Sequence, residues 1–340
     1  RQTVLERHTY PLRAATIRDA VARWAAAERF GIRIGVPRWE VAESWGDYHF
    51  ARALQRALER SGHPARVHFL PDWSSAAAAR DPVALHVFGL EEAPTRKAQL
   101  NLLWQISHPD LASPELYDRY DAAFVASDSF ARRMASRTET PVRALHQATD
   151  PERFRPEPTG PRHELLFVAN SRSVARKVVV DLAGTTHDLA VYGTGWREDL
   201  IEPRFVRGDG IPNVEVGHYY SSAAIVLNDH WSDMRAWGFI SNRIYDALAC
   251  AAFVISDEVE GIAAEFDDGV MTYRERPELE ALIERYLGDP DERARVAARG
   301  RAAVLARHTF DQRVAEILTI VATIGRDDRS PHRGRGAPPA

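Results

Sequence analysis

The chain alternates short apolar segments with longer amphipathic ones, and it does so twice, on either side of a proline-rich break. In the first half, short runs rich in Val, Ile, Leu and Phe predict strands at residues 32–36, 67–70, 83–88, 100–106, 122–126 and 142–145. Apolar residues at helical spacing predict helices at residues 12–30, 48–60 and 130–137. Such alternation is typical of a parallel sheet covered by helices on both faces.

The break lies at residues 150–162, which contain four prolines and no hydrophobic period; this composition predicts an interdomain linker. Beyond it, strands are predicted at 165–168, 189–192, 224–227 and 253–255. Helices are predicted to begin near 174 and 242 and to span 277–287, 291–306 and 312–324.

These elements predict an α/β protein with two Rossmann-like parallel-sheet domains facing a central cleft. The first domain, with its leading helix, covers residues 1–150, and the second covers 151–310. A last helix occupies 311–325, and residues 326–340, which have no hydrophobic pattern, are predicted to be disordered.

Composition excludes several functional classes. The net charge is −4 and the pI about 6.4, so no basic field indicates a nucleic-acid partner. No apolar stretch approaches the roughly 18 residues that span a bilayer, and no signal-peptide pattern is found. The single cysteine, Cys250, cannot form an internal disulfide, which fits a reducing compartment, and we expect a cytoplasmic protein without a transmembrane segment.

Open α/β sheets bind ligands at the carboxyl ends of their strands. After the strand at 165–168 come Arg172 and Lys177, two cations beside a predicted helix start that suits phosphate. After the next strand, Gly193 and Gly195 permit close backbone approach to a ligand. The alternatives are a solvated Arg/Lys helix face and an ordinary tight turn.

A glycine loop then enters a helix near Ser241, which offers a second helix N-terminus for an anion. Asn242 and Asp246 are four residues apart and therefore share a helix face. A carboxylate at that place can accept hydrogen bonds from a ribose diol, as acidic residues do in other nucleotide-binding α/β folds.

The run from residue 165 to about 313 resembles the retaining group 1 glycosyltransferases of GT-B fold, and within them the spore-maturation-protein-like branch. The resemblance implies that Arg172 and Lys177 hold the donor diphosphate and that Asp246, where the family has Glu, binds the ribose. It also implies that the helix at 311–325 crosses back to the N-terminal domain. The first acid of the family's Glu-x7-Glu motif falls on Gly238, so the donor sugar is expected to meet the backbone amides of Phe239, Ile240, Ser241 and Asn242.

The first half supplies candidates for the acceptor side. Trp39, Glu40, Trp45 and Asp47 follow the first strand, where they can stack on and hydrogen-bond a sugar or another acceptor. Asp47 is equally suited to be a helix N-cap or first-turn acid.

His108 follows the strand at 100–106. A lone strand-end histidine is often structural. The family resemblance implies instead that His108 reaches across the cleft to the donor sugar.

Metal binding is not expected. Asp229, His230 and Asp233 lie close in sequence, but no Asp-x-Asp motif stands at a strand end, and we interpret this segment as a solvated loop. The predicted function is transfer of a sugar from a nucleoside diphosphate sugar to an unidentified acceptor, with retention of configuration and without a cofactor. The alternatives are a nucleotide-sugar epimerase and a non-catalytic sugar-nucleotide-binding or scaffold module.

Overall fold

A computed structural model describes residues 28–327, together with residues 9, 10 and 14. The predicted leading helix lies mostly outside the described residues, and so does most of the predicted tail. The described chain contains two six-stranded sheets, and every pairing in both is parallel. The α/β class with two parallel sheets is therefore confirmed.

The first sheet has the order β2-β1-β3-β4-β5-β6. Its strands are β1 (Phe30–Arg33), β2 (Ala65–His68), β3 (Val83–Phe88), β4 (Leu100–Gln105), β5 (Ala122–Val125) and β6 (Val142–Ala144). Among the described residues, the α-helices of this half are α1 (Gly46–Arg60), α2 (Ala76–Ala79), α3 (Pro114–Tyr117) and α4 (Asp128–Ala135). Strands β1, β3 and β5 are buried along their whole length, which explains why they read as continuous apolar runs.

The second sheet has the order β12-β11-β10-β7-β8-β9. Its strands are β7 (Leu165–Val168), β8 (Leu189–Tyr192), β9 (Val206–Gly208), β10 (Ile225–Asn228), β11 (Val254–Asp257) and β12 (Val270–Tyr273). Its helices are α5 (Lys177–Asp181), α6 (Asn213–Ser222), α7 (Ser232–Ala236), α8 (Asn242–Ala249), α9 (Ile262–Glu265), α10 (Arg276–Gly288) and α11 (Pro290–Arg307).

The chain crosses between the domains at Thr149, upstream of all four prolines of the predicted linker. Thr149 forms a parallel bridge with Thr309, so the outgoing and returning segments meet at one place. The proline-rich segment beyond it is docked on α6, because the amides of Glu157 and Gly160 donate to Ser221 and Ser222. The prediction of a linker along residues 150–162 is therefore corrected: the crossover is short, and the prolines belong to the second domain.

The last helix, α12 (Phe310–Asp327), packs against the first domain. Its apolar side chains join the core formed by α1 and the first sheet. They are Phe310, Val314, Ile317, Ile320 and Val321. None of the helices in the described ranges combines the length and the apolar content that crossing a bilayer requires.

Candidate functional site

The loops that follow β7 and β8 are hydrogen-bonded to each other along their length. The amide of Ser171 donates to the carbonyl of Thr194 at 3.0 Å, and the amide of Thr194 donates to the side chain of Asn170 at 2.8 Å. Gly193 has φ +152°, and a Cβ there would lie 2.0 Å from the carbonyl oxygen of Ala169. Gly193 is thus required by the approach of two backbones to each other.

Arg172 stands at the tip of the β7 loop and faces the first domain. It has a left-handed backbone (φ +52°) and an exposed side chain. Its guanidinium carbon lies 5.7 Å from the ring centroid of Trp231. From this position its charge acts on two groups of the first domain, Asp47 and His108. Arg172 therefore lies within electrostatic range of two predicted site residues of the first domain.

His108 is half-buried and follows β4 in a left-handed conformation (φ +51°). Its Nδ1 lies 2.7 Å from the hydroxyl of Ser107. Burial and the positive charge of Arg172 both lower its pKa, while Asp233 opposes them. The imidazole is therefore held in its neutral form near pH 7.

Asp47 lies in the first turn of α1, where its Oδ2 would be 2.9 Å from a Cβ placed on Gly89. Burial raises the pKa of its carboxyl group, and the charge of Arg172 opposes that rise. The N-cap residue of α1 is Trp45, and its side chain makes no capping hydrogen bond. Asp47 is therefore not the N-cap but an acid in the first turn, beside the cleft.

The two tryptophans of the predicted acceptor side differ. Trp39 is 63% exposed and packs against Phe69 at a tilt, with ring centroids 4.1 Å apart, so much of its indole is open to solvent. Trp45 is partly buried and packs against the core of the first domain. Its prediction as a stacking surface is therefore weakened. Glu40 is exposed in the short 3-10 helix Trp39–Ser44.

Lys177 is the first residue of α5, so the helix begins three residues later than predicted. The ammonium lies 2.6 Å from Asp181 Oδ2 and 5.0 Å from the ring centroid of Tyr273. In this structure it is paired along its own helix and is not directed towards Arg172.

Two buried groups lie in the segments that follow β7 and β10; the sequence did not single out Arg176, and it predicted a solvated loop for His230. Arg176 is buried and forms an ion pair with Asp229, with its guanidinium 4.5 Å from the ring centroid of Trp231. His230 is buried as well, and its Nδ1 lies 2.6 Å from Asp257 Oδ1. The expectation of a solvated loop at 229–233 is wrong for Asp229 and His230, because both are buried, Asp229 in an ion pair with Arg176 and His230 in a hydrogen bond with Asp257. Their position directly after β10 was the available signal.

Among the described residues, no cluster of three or more His, Cys, Asp or Glu side chains has an arrangement that would hold a metal ion. In the loop after β10, Asp229 is paired with Arg176, and His230 is paired with Asp257.

The amides predicted to meet the donor sugar are only partly available. The amide of Phe239 donates to the carbonyl of Met234, and the amide of Ser241 donates to His230 Nε2, both at 2.9 Å. The side chains of Phe239 and Ile240 are buried in the core. This corrects the prediction for Phe239 and Ser241, whereas Ile240 and Asn242 remain candidates through their backbones.

Gly238 explains the departure from the family's acidic motif. Its φ is +70°, and a Cβ would lie 3.2 Å from the hydroxyls of both Ser127 and Ser129 in the first domain. The neighbouring carbonyl of Trp237 accepts a hydrogen bond from Ser127 at 2.5 Å. This position is used for contact between the domains, so a larger side chain there would be strained and would have to displace these hydroxyls.

Asp246 lies on α8, half-buried, with both carboxylate oxygens engaged. Oδ1 accepts from Thr149 Oγ1 at 2.8 Å, and Oδ2 accepts from Asn242 Nδ2 at 2.9 Å. Burial raises the pKa of Asp246 to about 8, and the hydrogen bonds from Thr149 and Asn242 oppose that rise. Asn242 and Asp246 share a helix face, as their spacing indicates.

Two parallel-sheet domains that face each other at the carboxyl ends of their strands define the GT-B fold. Solved structures of this fold resemble the chain over most of its length, at identities that establish the fold alone. Sucrose-phosphate synthase from Thermosynechococcus elongatus superimposes with a TM-score of 0.65 and 14% identity, covering 88% of this chain and 100% of that one. Anabaena HepE in complex with UDP and glucose gives 0.61 and 13%, covering 86% and 100%. T4 phage BGT in complex with its UDP-glucose substrate gives 0.58 and 12%, covering 87% and 98%.

Sequence comparison finds a family match over part of the second half of the chain. Residues 171–319 match the family described as glycosyl transferase-like. Spore protein CgeB of Bacillus subtilis (strain 168) is 28% identical over 119 residues, which is 32% of this chain and 37% of that protein. The chain therefore has the GT-B fold of these structures, and its residues 171–319 match the glycosyl transferase-like family.

Proposed function

We propose that the chain transfers a sugar from a nucleoside diphosphate sugar to an acceptor hydroxyl, with retention of configuration, in the cytoplasm and without a metal. One observation carries the proposal: the loop after β7 carries an exposed Arg172 whose charge acts on Asp47 and His108 of the first domain. The neighbouring structures of HepE and T4 phage BGT, which hold UDP or UDP-glucose, support a nucleotide sugar as the donor.

Transfer of the sugar requires positive charge beside the leaving diphosphate. As the glycosidic bond breaks, the diphosphate gains negative charge, and a preorganised cation at that place lowers the barrier. In this proposal, Arg172 meets the diphosphate, with Lys177 joining after it leaves Asp181. Asp246 binds the ribose, and Gly193, Gly195 and the backbones of Ile240 and Asn242 line the donor site.

The first domain supplies the other half of the site. Neutral His108 can hydrogen-bond a sugar hydroxyl without adding charge. In this proposal Asp47 contacts the acceptor hydroxyl, and the exposed indole of Trp39 offers a surface on which an acceptor ring can stack. Enclosure between the domains limits hydrolysis of the donor.

A thermal-shift series with UDP-, GDP-, ADP-, TDP- and CDP-sugars tests the donor, because a ligand that binds the folded state raises the melting temperature. Hydrolysis of the selected donor without acceptor then tests for turnover, and nuclear magnetic resonance of the products tests for an epimer. Free sugar with unchanged ring configuration supports a transferase. Binding without turnover would identify a scaffold module, and an epimerised nucleotide sugar would identify an epimerase.

A further inference from the structure

The carboxylate of Asp246 is shared between the donor site and the interdomain crossover. One oxygen accepts from Asn242, one turn earlier on α8, and the other accepts from Thr149, 97 residues away in sequence. Neither partner is charged, so the carboxyl group, whose pKa is raised by burial to about 8, is held by directed hydrogen bonds and not by an opposite charge.

Both backbone groups of Thr149 are hydrogen-bonded, as its hydroxyl is. Its amide donates to the carbonyl of His308 at 2.9 Å, and its carbonyl accepts from the amide of Phe310 at 3.1 Å. The residue is fully buried. Both segments that cross between the domains are therefore tied at this residue.

The surrounding contacts reinforce the crossover. Asp150 forms an ion pair with Arg56 of α1 at 2.7 Å. Arg313 of α12 donates to the carbonyls of His146 and Gln147, at 2.7 and 3.3 Å. A shift of either crossing segment would therefore move the Thr149 hydroxyl relative to Asp246.

We propose that Thr149 is a positioning residue for nucleotide binding: its hydroxyl aims the Asp246 carboxylate at the ribose and couples occupancy of the donor site to the order of the interdomain crossover. The inference rests on the proposed function, because it takes Asp246 as the ribose acceptor. It adds the residue that orients Asp246 and the segment that responds when nucleotide binds.

The coupling follows from shared hydrogen bonding. Each carboxylate oxygen can accept more than one hydrogen bond, so a ribose hydroxyl can join while Thr149 stays bound. Thr149 then selects the rotamer of Asp246 in which the remaining lone pairs of its oxygens face the nucleotide. By linkage, a nucleotide that favours this rotamer stabilises the crossover, and an ordered crossover strengthens nucleotide binding by the same factor.

The test compares Thr149→Val, which keeps the shape and removes the hydroxyl, with Thr149→Ser, which keeps the hydroxyl. Titration calorimetry uses UDP, replaced by GDP, ADP, TDP or CDP if the donor screen selects another base. We expect Thr149→Val to weaken binding about five- to tenfold, the loss of one hydrogen bond, and Thr149→Ser to stay within about twofold of wild type.

Amide hydrogen exchange distinguishes coupling from a purely structural role of Thr149, because a structural role would not make the exchange depend on nucleotide. In the wild type, saturating nucleotide should slow exchange of the amides of Thr149 and Phe310. In Thr149→Val at saturating nucleotide, that slowing should be lost even though the site is filled.

Thr140→Val is the matched control. Thr140 is also buried, and its hydroxyl donates to the carbonyls of Tyr117 and Tyr120, at 2.9 and 3.0 Å. It should lose stability without losing nucleotide affinity. Equal affinity of Thr149→Val and wild type, or retained slowing at the crossover, overturns the coupling. A wild type that binds none of the five nucleotides overturns the proposed function itself.

Discussion

The left-handed backbone of His108 decides how its role should be tested. Alanine is strained at φ +51°, whereas asparagine tolerates this region, so His108→Asn removes the imidazole with the least change in the loop. If His108 meets the sugar, this variant should lower kcat for donor hydrolysis about 10- to 100-fold and leave nucleoside diphosphate affinity within about twofold.

Asp246→Ala is the matched contrast, because it should weaken nucleoside diphosphate binding and raise the donor KM. Steady-state kinetics beside calorimetric titration measures both variants. Wild-type kcat in His108→Asn would show that the histidine only shapes the loop.

Lys177 either leaves its ion pair with Asp181 to bind the diphosphate or remains in it, and nucleotide affinity distinguishes the two roles. If the ammonium leaves Asp181 to meet the diphosphate, Lys177→Ala should weaken nucleoside diphosphate binding about tenfold. Asp181→Asn should strengthen binding, because the ammonium no longer has to break a 2.6 Å contact. Calorimetric titration of both variants distinguishes this role from a purely helical ion pair, for which neither variant would change the affinity.

At the scale of elements, the sequence predicted most strands and the longer helices. Strands β7 and β8 were located to the residue, because four successive apolar residues between polar turns form an unambiguous pattern. Strands β9 and β12 were not predicted. β9 has no buried residue and β12 only two, so neither carries a continuous apolar signal. Helix α6 was missed for a related reason, since only Val216 and Tyr220 are buried on it.

The β8 loop offers a prediction on the role of backbone packing. Gly193→Ala forces a Cβ into the carbonyl of Ala169 and should lower the free energy of unfolding by about 2–4 kcal/mol, while displacing the loop that carries Arg172. Urea denaturation measures the loss, and nucleotide titration measures the displacement.

Gly184→Ala is the control, because Gly184 also has a positive φ but has no atom within 4 Å of the added Cβ. It should cost about 1 kcal/mol and leave nucleotide affinity unchanged. Equal losses in the two variants would mean that backbone conformation, and not the contact with Ala169, sets the cost.

At the scale of the whole molecule, the sequence located the cleft but not the contacts within it. Arg172, His108 and Asp47 were each recognised from their place after a strand, and in the structure the charge of Arg172 acts on the other two. The bond between Thr149 and Asp246, the ion pair of Arg176 with Asp229 and the interdomain contact at Gly238 depend on residues far apart in sequence. Periodicity and local spacing contain no information on such contacts.

Metal independence is a prediction about the assembled cleft. The proposed cations at the diphosphate are supplied by side chains, and the nearest acid-rich loop has Asp229 already neutralised by Arg176. Donor hydrolysis should therefore be unchanged after EDTA treatment. Loss of turnover that Mg²⁺ or Mn²⁺ restores would contradict this and would redirect attention to Asp229 and Asp233.

The packing of α12 on the first domain also constrains how the protein is made. A nascent chain emerges from the ribosome in order, and the β1–β6 sheet is complete some 165 residues before Phe310. Until α12 has been synthesised, the surface that Val314, Ile317 and Val321 cover stays open to solvent and to other nascent chains. The first domain is translated first, but its core is complete only after α12 has been synthesised. It therefore needs protection from aggregation until then.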